Sequence, residues 1–184
     1  MQKPHVVERA TRWADSLGFT RSCRDEVGAL LHVLAGSIPC GRIADIGTGC
    51  GVGTAWIASA TDVDIFTIDN DLSRAEGIGN LFTRYNQVHL MVGEWKDILQ
   101  HGPFRLVFVD VQPAKVEGID ALVQATEVGG ILVLDDLTPI EFWPKDWKGR
   151  PDPVREAWLN HPVLASTEIR TSLENSAILA CRMA

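Results

Sequence analysis

The sequence predicts an α/β fold built on a mostly parallel sheet. Three observations predict it. Short apolar runs alternate with helical stretches along most of the chain, the order of a repeating βα unit. Two of those runs, Leu106–Val109 and Ile131–Leu134, have no polar alternation, as in strands covered on both faces. A glycine cluster at Gly47, Gly49, Gly51 and Gly53 stands between an apolar run and a helical stretch, where a tight turn needs residues that tolerate positive φ.

A helix over residues 5–17 opens the chain. Val27, Leu30, Leu31 and Leu34 recur at i, i+3, i+4 and i+7 and place a second helix over 25–37. Five strands follow at Arg42–Ile46, Asp64–Asp69, Val88–Val92, Phe104–Asp110 and Gly130–Asp135. Helices are expected between them at Val52–Ala60, Leu72–Arg84 and Val116–Thr126. Residues 137–153 then hold four of the nine prolines and two of the six tryptophans, which marks a long irregular segment. A short helix at Val154–Leu159 ends it. Thr167–Arg170 and Ala177–Arg182 read as an antiparallel hairpin closing the sheet.

A length of 184 residues suits one domain with a substantial core, spanning 1–184. Hydrophobic residues make up 46% and charged residues 22%, a globular composition. The formal net charge of −7 argues against binding nucleic acid by bulk electrostatics. No apolar run approaches the roughly 18–20 residues of a membrane span, and the first residues lack the apolar centre of a signal peptide. Cys23, Cys40, Cys50 and Cys181 are scattered, which fits reduced thiols in a cytoplasmic protein better than a disulfide framework. The five histidines share no ligand spacing, and no G-x-S-x-G occurs, so nucleophilic hydrolysis has no support.

The glycine turn, Asp45-Ile46-Gly47-Thr48-Gly49-Cys50-Gly51-Val52-Gly53-Thr54, departs from the dinucleotide pattern G-x-G-x-x-G. Counted from Gly47 the sixth residue is Val52, and from Gly49 it is Thr54. Asp45 would repel a pyrophosphate and suits an amino-bearing or cationic ligand. Asp69 ends the second strand, where a carboxylate takes two ribose hydroxyls. Ribose plus a cation without phosphate points to S-adenosylmethionine. Against this stands a turn whose glycines serve only the strand-to-helix connection.

On these residues the chain resembles the class I S-adenosylmethionine-dependent methyltransferases, in particular the small O-methyltransferases of the catechol and caffeoyl-CoA type. Ala44-Asp45-Ile46-Gly47-Thr48-Gly49-Cys50-Gly51 matches the family's first motif. The resemblance covers about residues 22–136. It implies a doubly wound Rossmann-like sheet of seven strands in the order 3-2-1-4-5-7-6, helices on both faces, and S-adenosylmethionine as cofactor. It implies that Gly47, Thr48, Gly49 and Gly51 line the methionine part and that Asp45 lies near its amino group. Asp69, with Asn70 beside it, would take the ribose, and Glu94 and Trp95 would flank the adenine. Gly53 stands where the family often has Ser or Thr; Thr54 or backbone amides are the candidate substitutes.

Asp110 ends the fourth strand, and Asp135 and Asp136 end the fifth. Three carboxylates in one corner repel unless a cation lies between them, and magnesium would fit. The resemblance implies a metal at Asp110, Asp135 and Asp136, with Asp136 where the family has Asn. It implies a catalytic role for Asp110 and a lysine base three residues on. Here that position is Pro113, and Lys115, two further on, is the candidate base. The bland alternatives are helix caps for the acids and a solvated lysine at a helix start.

Trp143 and Trp147 could stack on an aromatic acceptor, with Lys145, Lys148 or Arg150 meeting an anionic group; packing of the loop onto the body is the competing account. The expected activity is methyl transfer to a hydroxyl of a small molecule. The pocket would be open or completed by a second copy of the chain, as in a homodimer. Other readings are a protein or RNA acceptor, a module that binds the nucleoside without catalysis, and a nicotinamide-dependent dehydrogenase, which the glycine spacing weakens.

Overall fold

In the computed structural model, residues 2–184 are described, the side chains of Leu72, Ala75 and Glu76 excepted. Helices α1 (His5–Ser16) and α2 (Asp25–Gly36) precede the first strand. Strand β1 (Arg42–Ile46) leads through the glycine turn into α3 (Val52–Ala58). Then come β2 (Asp64–Asp69), α4 (Ala75–Leu81), β3 (Val88–Val92) and β4 (Phe104–Val109). Two short helices, α5 (Gln112–Glu117) and α6 (Ile119–Gln124), lead to the long β5 (Thr126–Leu137). Helix α7 (Pro153–Leu159) and the hairpin β6 (Leu164–Arg170) and β7 (Ser176–Arg182) complete the fold.

The sheet has the order β3-β2-β1-β4-β5-β7-β6, as expected. Five strands run parallel, and β7 runs antiparallel to both β5 and β6. Because side chains alternate across a strand, the unbroken apolar runs divide between two cores. Ile43, Ile65, Leu106, Phe108 and Val133 face α1, α2 and α3. Ala44, Ile68, Val107, Val109, Leu132 and Leu134 face the layer that holds Leu122 and Trp158. Helix α2 packs against α3 so tightly that a Cβ on Gly28 would lie 2.1 Å from Trp56 Nε1.

Strands β1, β2 and β3 match their expected bounds, β4 ends one residue short, β6 and β7 begin early, and the other differences lie at helices and at β5. The helix expected over Leu72–Arg84 begins as a 3₁₀ turn at Leu72–Arg74 and ends at Leu81. The helix expected over Val116–Thr126 is two helices with Gly118 between them, and Gln112–Lys115 belong to the first. A Cβ at Gly118 would lie 2.5 Å from Ala114 O and 2.6 Å from the Trp95 ring, so the break lets Trp95 close against the backbone. Residues 95–101 form a 3₁₀ helix that the periodicity does not announce. Strand β5 begins four residues earlier than expected, with an irregular pairing to β4 between Phe104 and Leu106.

Candidate active site

Parallel strands bring their carboxyl ends to one edge, and there the expected residues meet. The backbone at Gly47 has φ 108°, at Gly49 54° and at Gly51 78°. A Cβ on Gly47 would lie 2.8 Å from Val111 Cγ1 and 3.1 Å from Asp110 O. Its bareness therefore admits the end of β4, while the amides of Gly47 and Thr48 both donate to Ile68 O at 2.9 and 3.1 Å. The turn is thus tied to both neighbouring strands.

Beneath it lies a buried polar network that the motif alone does not reveal. Thr54 Oγ1 donates to Asp45 Oδ2 at 2.5 Å and Thr67 Oγ1 to the same oxygen at 3.0 Å. Thr48 Oγ1 meets Thr67 Oγ1 at 2.7 Å. Thr54 and the Thr48 hydroxyl are thus engaged inward, and Thr54 is not free to stand in for the family's serine or threonine at position 53. A side chain at Gly53 would crowd the Phe108 ring at 3.1 Å. Thr67 gave no sign in the sequence beyond being polar inside an apolar strand. Burial pushes Asp45 up to about 6, against the Thr54 and Thr67 hydroxyls, which pull it down. Its other oxygen, Oδ1, is buried and has no hydrogen-bond partner.

Asp69 organises the neighbouring wall. Its Oδ2 accepts Gly49 N at 2.7 Å, and its Oδ1 accepts Asp71 N at 2.9 Å and Arg74 Nη2 at 3.0 Å. Arg74 Nε also donates to Gly49 O at 3.0 Å. Arg74 was not anticipated from sequence. A cavity of about 330 Å³ runs along Ile46, Gly47, Asp69, Asn70, Glu94 and Trp95 to Asp110 and Gln112. A further cavity of about 330 Å³ shares Gly47, Asp69, Asn70, Asp110 and Gln112 with it and reaches Lys115 and Asp136. Trp95 is buried. Glu94 also closes a capping box with Asp97, a structural task beside any ligand contact.

The corner between β4 and β5 holds the three acids and a lysine. Lys115 is 7% exposed, not a solvated residue. Its Nζ donates to Asp135 O at 2.6 Å and stands 3.8 Å from Asp110 Oδ1. Burial pushes Asp110 up to about 8; Lys115 pulls it down, and Asp135 and Asp136 push it up. Burial likewise pushes Asp135 up to about 6, with Lys115 and Arg24 among the groups pulling it back. Asp136 has φ 55° and an exposed side chain. It sits at an irregularity between Leu134 and Leu137, where β5 parts from β7, the kind of bulge that re-aims a side chain at a site.

The corner does not fit a magnesium ion as arranged. Among the described residues no three His, Cys, Asp or Glu side chains converge as a metal would require, and the ammonium stands among the carboxylates.

Beyond this corner a cavity of about 400 Å³ is lined by Gln112, Lys115, Asp136, Trp143, Trp147 and Arg150, among others. It shares Gln112, Lys115 and Asp136 with the cavity along the glycine turn. Trp143 packs its ring under the loop and donates from Nε1 to Thr138 O at 2.8 Å. Trp147 meets it edge-on at 6.2 Å and is 58% exposed. Of the three cations expected here, Arg150 lines the cavity. Gln112, common to all three cavities, carried no signal in the sequence.

This sheet order is that of the Rossmann-like methyltransferase fold. The O-methyltransferase TomG from Streptomyces achromogenes, involved in tomaymycin synthesis and solved with S-adenosylmethionine, superimposes with a TM-score of 0.82 at 23% identity, over 100% of this chain and 92% of that one. An O-methyltransferase from Bacillus cereus, solved with S-adenosylhomocysteine, gives 0.79 at 17% identity over 99% and 92%. The Podospora anserina methyltransferase PaMTH1, also with S-adenosylhomocysteine, gives 0.78 at 15% identity over 98% and 88%. At these identities the likeness establishes the fold. No protein-family model and no curated protein sequence matches the chain.

Proposed function

We propose that the chain is an S-adenosylmethionine-dependent methyltransferase that acts on a hydroxyl oxygen of a small molecule. The carrying observation is the meeting of two cavities at Gln112, Lys115 and Asp136, one walled by Asp69, Gly47 and Asn70, the other by two tryptophans. When bound, S-adenosylmethionine supplies an electrophilic methyl group on a sulfonium. The residues present suit it. The unpartnered Asp45 Oδ1 is an acceptor without a donor, which a ligand amino group answers. Asp69 retains acceptor capacity on Oδ2 for a ribose hydroxyl. Trp95 offers an apolar wall for a base, and Glu94 a polar rim.

The chain's own part is to bring donor and acceptor into line. Positioning of this kind removes much of the barrier to a displacement. Trp143 and Trp147 wall the acceptor cavity, which favours a flat, aromatic hydroxyl compound, and Arg150 favours one with an anionic substituent. Asp110, at the junction, is placed to receive the acceptor's proton once ionised, which its raised value of about 8 defers to mildly alkaline pH. Calorimetry with S-adenosylhomocysteine and with NAD tests the first half: the reading expects binding of the former and none of the latter. Methyl transfer to a panel of catechols and hydroxybenzoates tests the second. Tight retention of NAD with no affinity for the sulfur nucleoside would overturn the proposal.

A further inference from the structure

The carboxylates at the ends of β4 and β5 already have a cation. Lys115 reaches them from α5, with its ammonium 2.6 Å from Asp135 O and 3.8 Å from Asp110 Oδ1. The residue is held from behind. Trp158, fully buried, donates from Nε1 to Lys115 O at 2.9 Å, and Lys115 N donates to Val111 O at 3.3 Å. The lysine backbone is therefore anchored to α7 and to Val111 at the cap of its own helix. A buried ammonium without a partner is costly, and here the carbonyl and the carboxylate supply one.

We propose that Lys115 is the resident cation of this corner and takes the place of a divalent metal. The inference rests on the methyltransferase reading for its functional meaning, but its geometry stands by itself. Magnesium binds oxygens at about 2.0–2.1 Å in near-octahedral order. An ion touching Asp110 and Asp135 would come close to the ammonium, and two like charges in a desolvated site repel strongly. Lysine and metal thus compete for the corner. Because Lys115 also lines both cavities with Gln112 and Asp136, its positive charge lies close to where an acceptor oxygen would meet the donor. It acts there as a hydrogen-bond donor and electrostatic anchor.

The test is an electron paramagnetic resonance titration of the purified protein with Mn²⁺, read without any turnover. It compares the wild type, Lys115→Met and Lys115→Arg, each with S-adenosylhomocysteine affinity measured in parallel. The wild type and Lys115→Arg are expected to show no saturable Mn²⁺ binding up to about 1 mM, and Lys115→Met to bind at least about tenfold more tightly once the like charge is gone. Wild-type Mn²⁺ binding in the micromolar range overturns the inference whether or not Lys115→Met folds. So does a folded Lys115→Met that binds no better than the wild type. Loss of nucleoside binding in every form would instead remove the methyltransferase reading, while the manganese comparison would still decide which cation the corner holds.

Discussion

Asp45 and Asp69 show how one residue type does two jobs at a single turn. Asp69 is a builder as well as a candidate ligand, since it accepts from Gly49 N, Asp71 N and Arg74 Nη2. Asp69→Ala is therefore expected to weaken S-adenosylhomocysteine binding more than about tenfold, the scale of a lost charge-assisted pair, and to loosen the turn as well. Isothermal calorimetry would measure the first and thermal unfolding the second. An unchanged affinity would remove Asp69 from the ribose.

Asp45 carries a pH signature. Its folded value, about 6, lies above the ordinary 3.8. Between those values the unfolded chain releases the proton while the native chain keeps it, so this carboxyl costs stability as pH rises from about 4 to 6. A cationic ligand favours the ionised form, so affinity for S-adenosylmethionine should rise across about pH 5 to 7 and then level off. Asp45→Asn should lose both slopes. Wild-type and variant curves that run parallel would show that Asp45 does not meet the ligand.

At the scale of elements, the segment between β5 and α7 carries two tryptophans that differ in burial. Trp143 is buried and bonded to Thr138 O, whereas Trp147 is exposed, and both line the cavity beside the corner. Trp143→Ala is expected to cost about 3 kcal/mol or more, the range for a truncated buried aromatic. Trp147→Ala should change stability by less than about 0.5 kcal/mol, as exposed positions do, yet raise KM for a phenolic acceptor. Denaturant unfolding together with methyl-transfer kinetics distinguishes them. Equal effects of both substitutions on stability would contradict the assignment.

The same segment is tied to the hairpin by Arg155. Its guanidinium donates to Asp152 Oδ2 at 2.6 Å, to Glu168 Oε2 at 2.7 Å and to Thr138 O at 3.1 Å. Burial alone would raise Glu168, but the bonds from Arg155 and Ser176 outweigh it and hold the carboxyl below its usual range. That contribution is present above the unfolded value and is lost as pH falls through the folded one. Arg155→Ala leaves Glu168 without its partner and is expected to cost about 3 kcal/mol. Urea unfolding near neutral pH would measure it, and a loss under about 1 kcal/mol would mean that the network is redundant.

For the whole molecule, the split of the sheet into two apolar faces decides what is tolerated. Gly28 lies where α2 meets α3, and a methyl group there would enter the Trp56 ring. Gly28→Ala should lower stability by about 1–3 kcal/mol through overpacking, with nucleoside affinity per folded molecule little changed. No described helix is long and apolar enough to cross a membrane.

Much of the fold was legible because its signals are local. Leu106–Val109 and Ile131–Leu134 are apolar at consecutive positions because both faces of β4 and β5 are covered, and that pattern needs no knowledge of the partners. The glycine turn was legible for the same reason, since positive φ is a demand on single residues. The division of 116–126 by Gly118 was not, because it answers to the Trp95 ring, distant in sequence. Thr67 and Arg74 were missed on the same grounds: their meaning lies in partners 22 and 25 residues away.

By itself the sequence determined the βα alternation, the glycine turn and the carboxylates at the ends of their strands, because each depends on residues within a few positions of one another. Tertiary structure alone decided what those carboxylates face. The order of strands sets β4 beside β5, a break at Gly118 and a bond from Trp158 hold α5 in place, and so Lys115 enters a corner that the chain's linear order leaves to any cation. Which charge neutralises a cluster is settled by distance in three dimensions, and spacing along a chain carries little of that information.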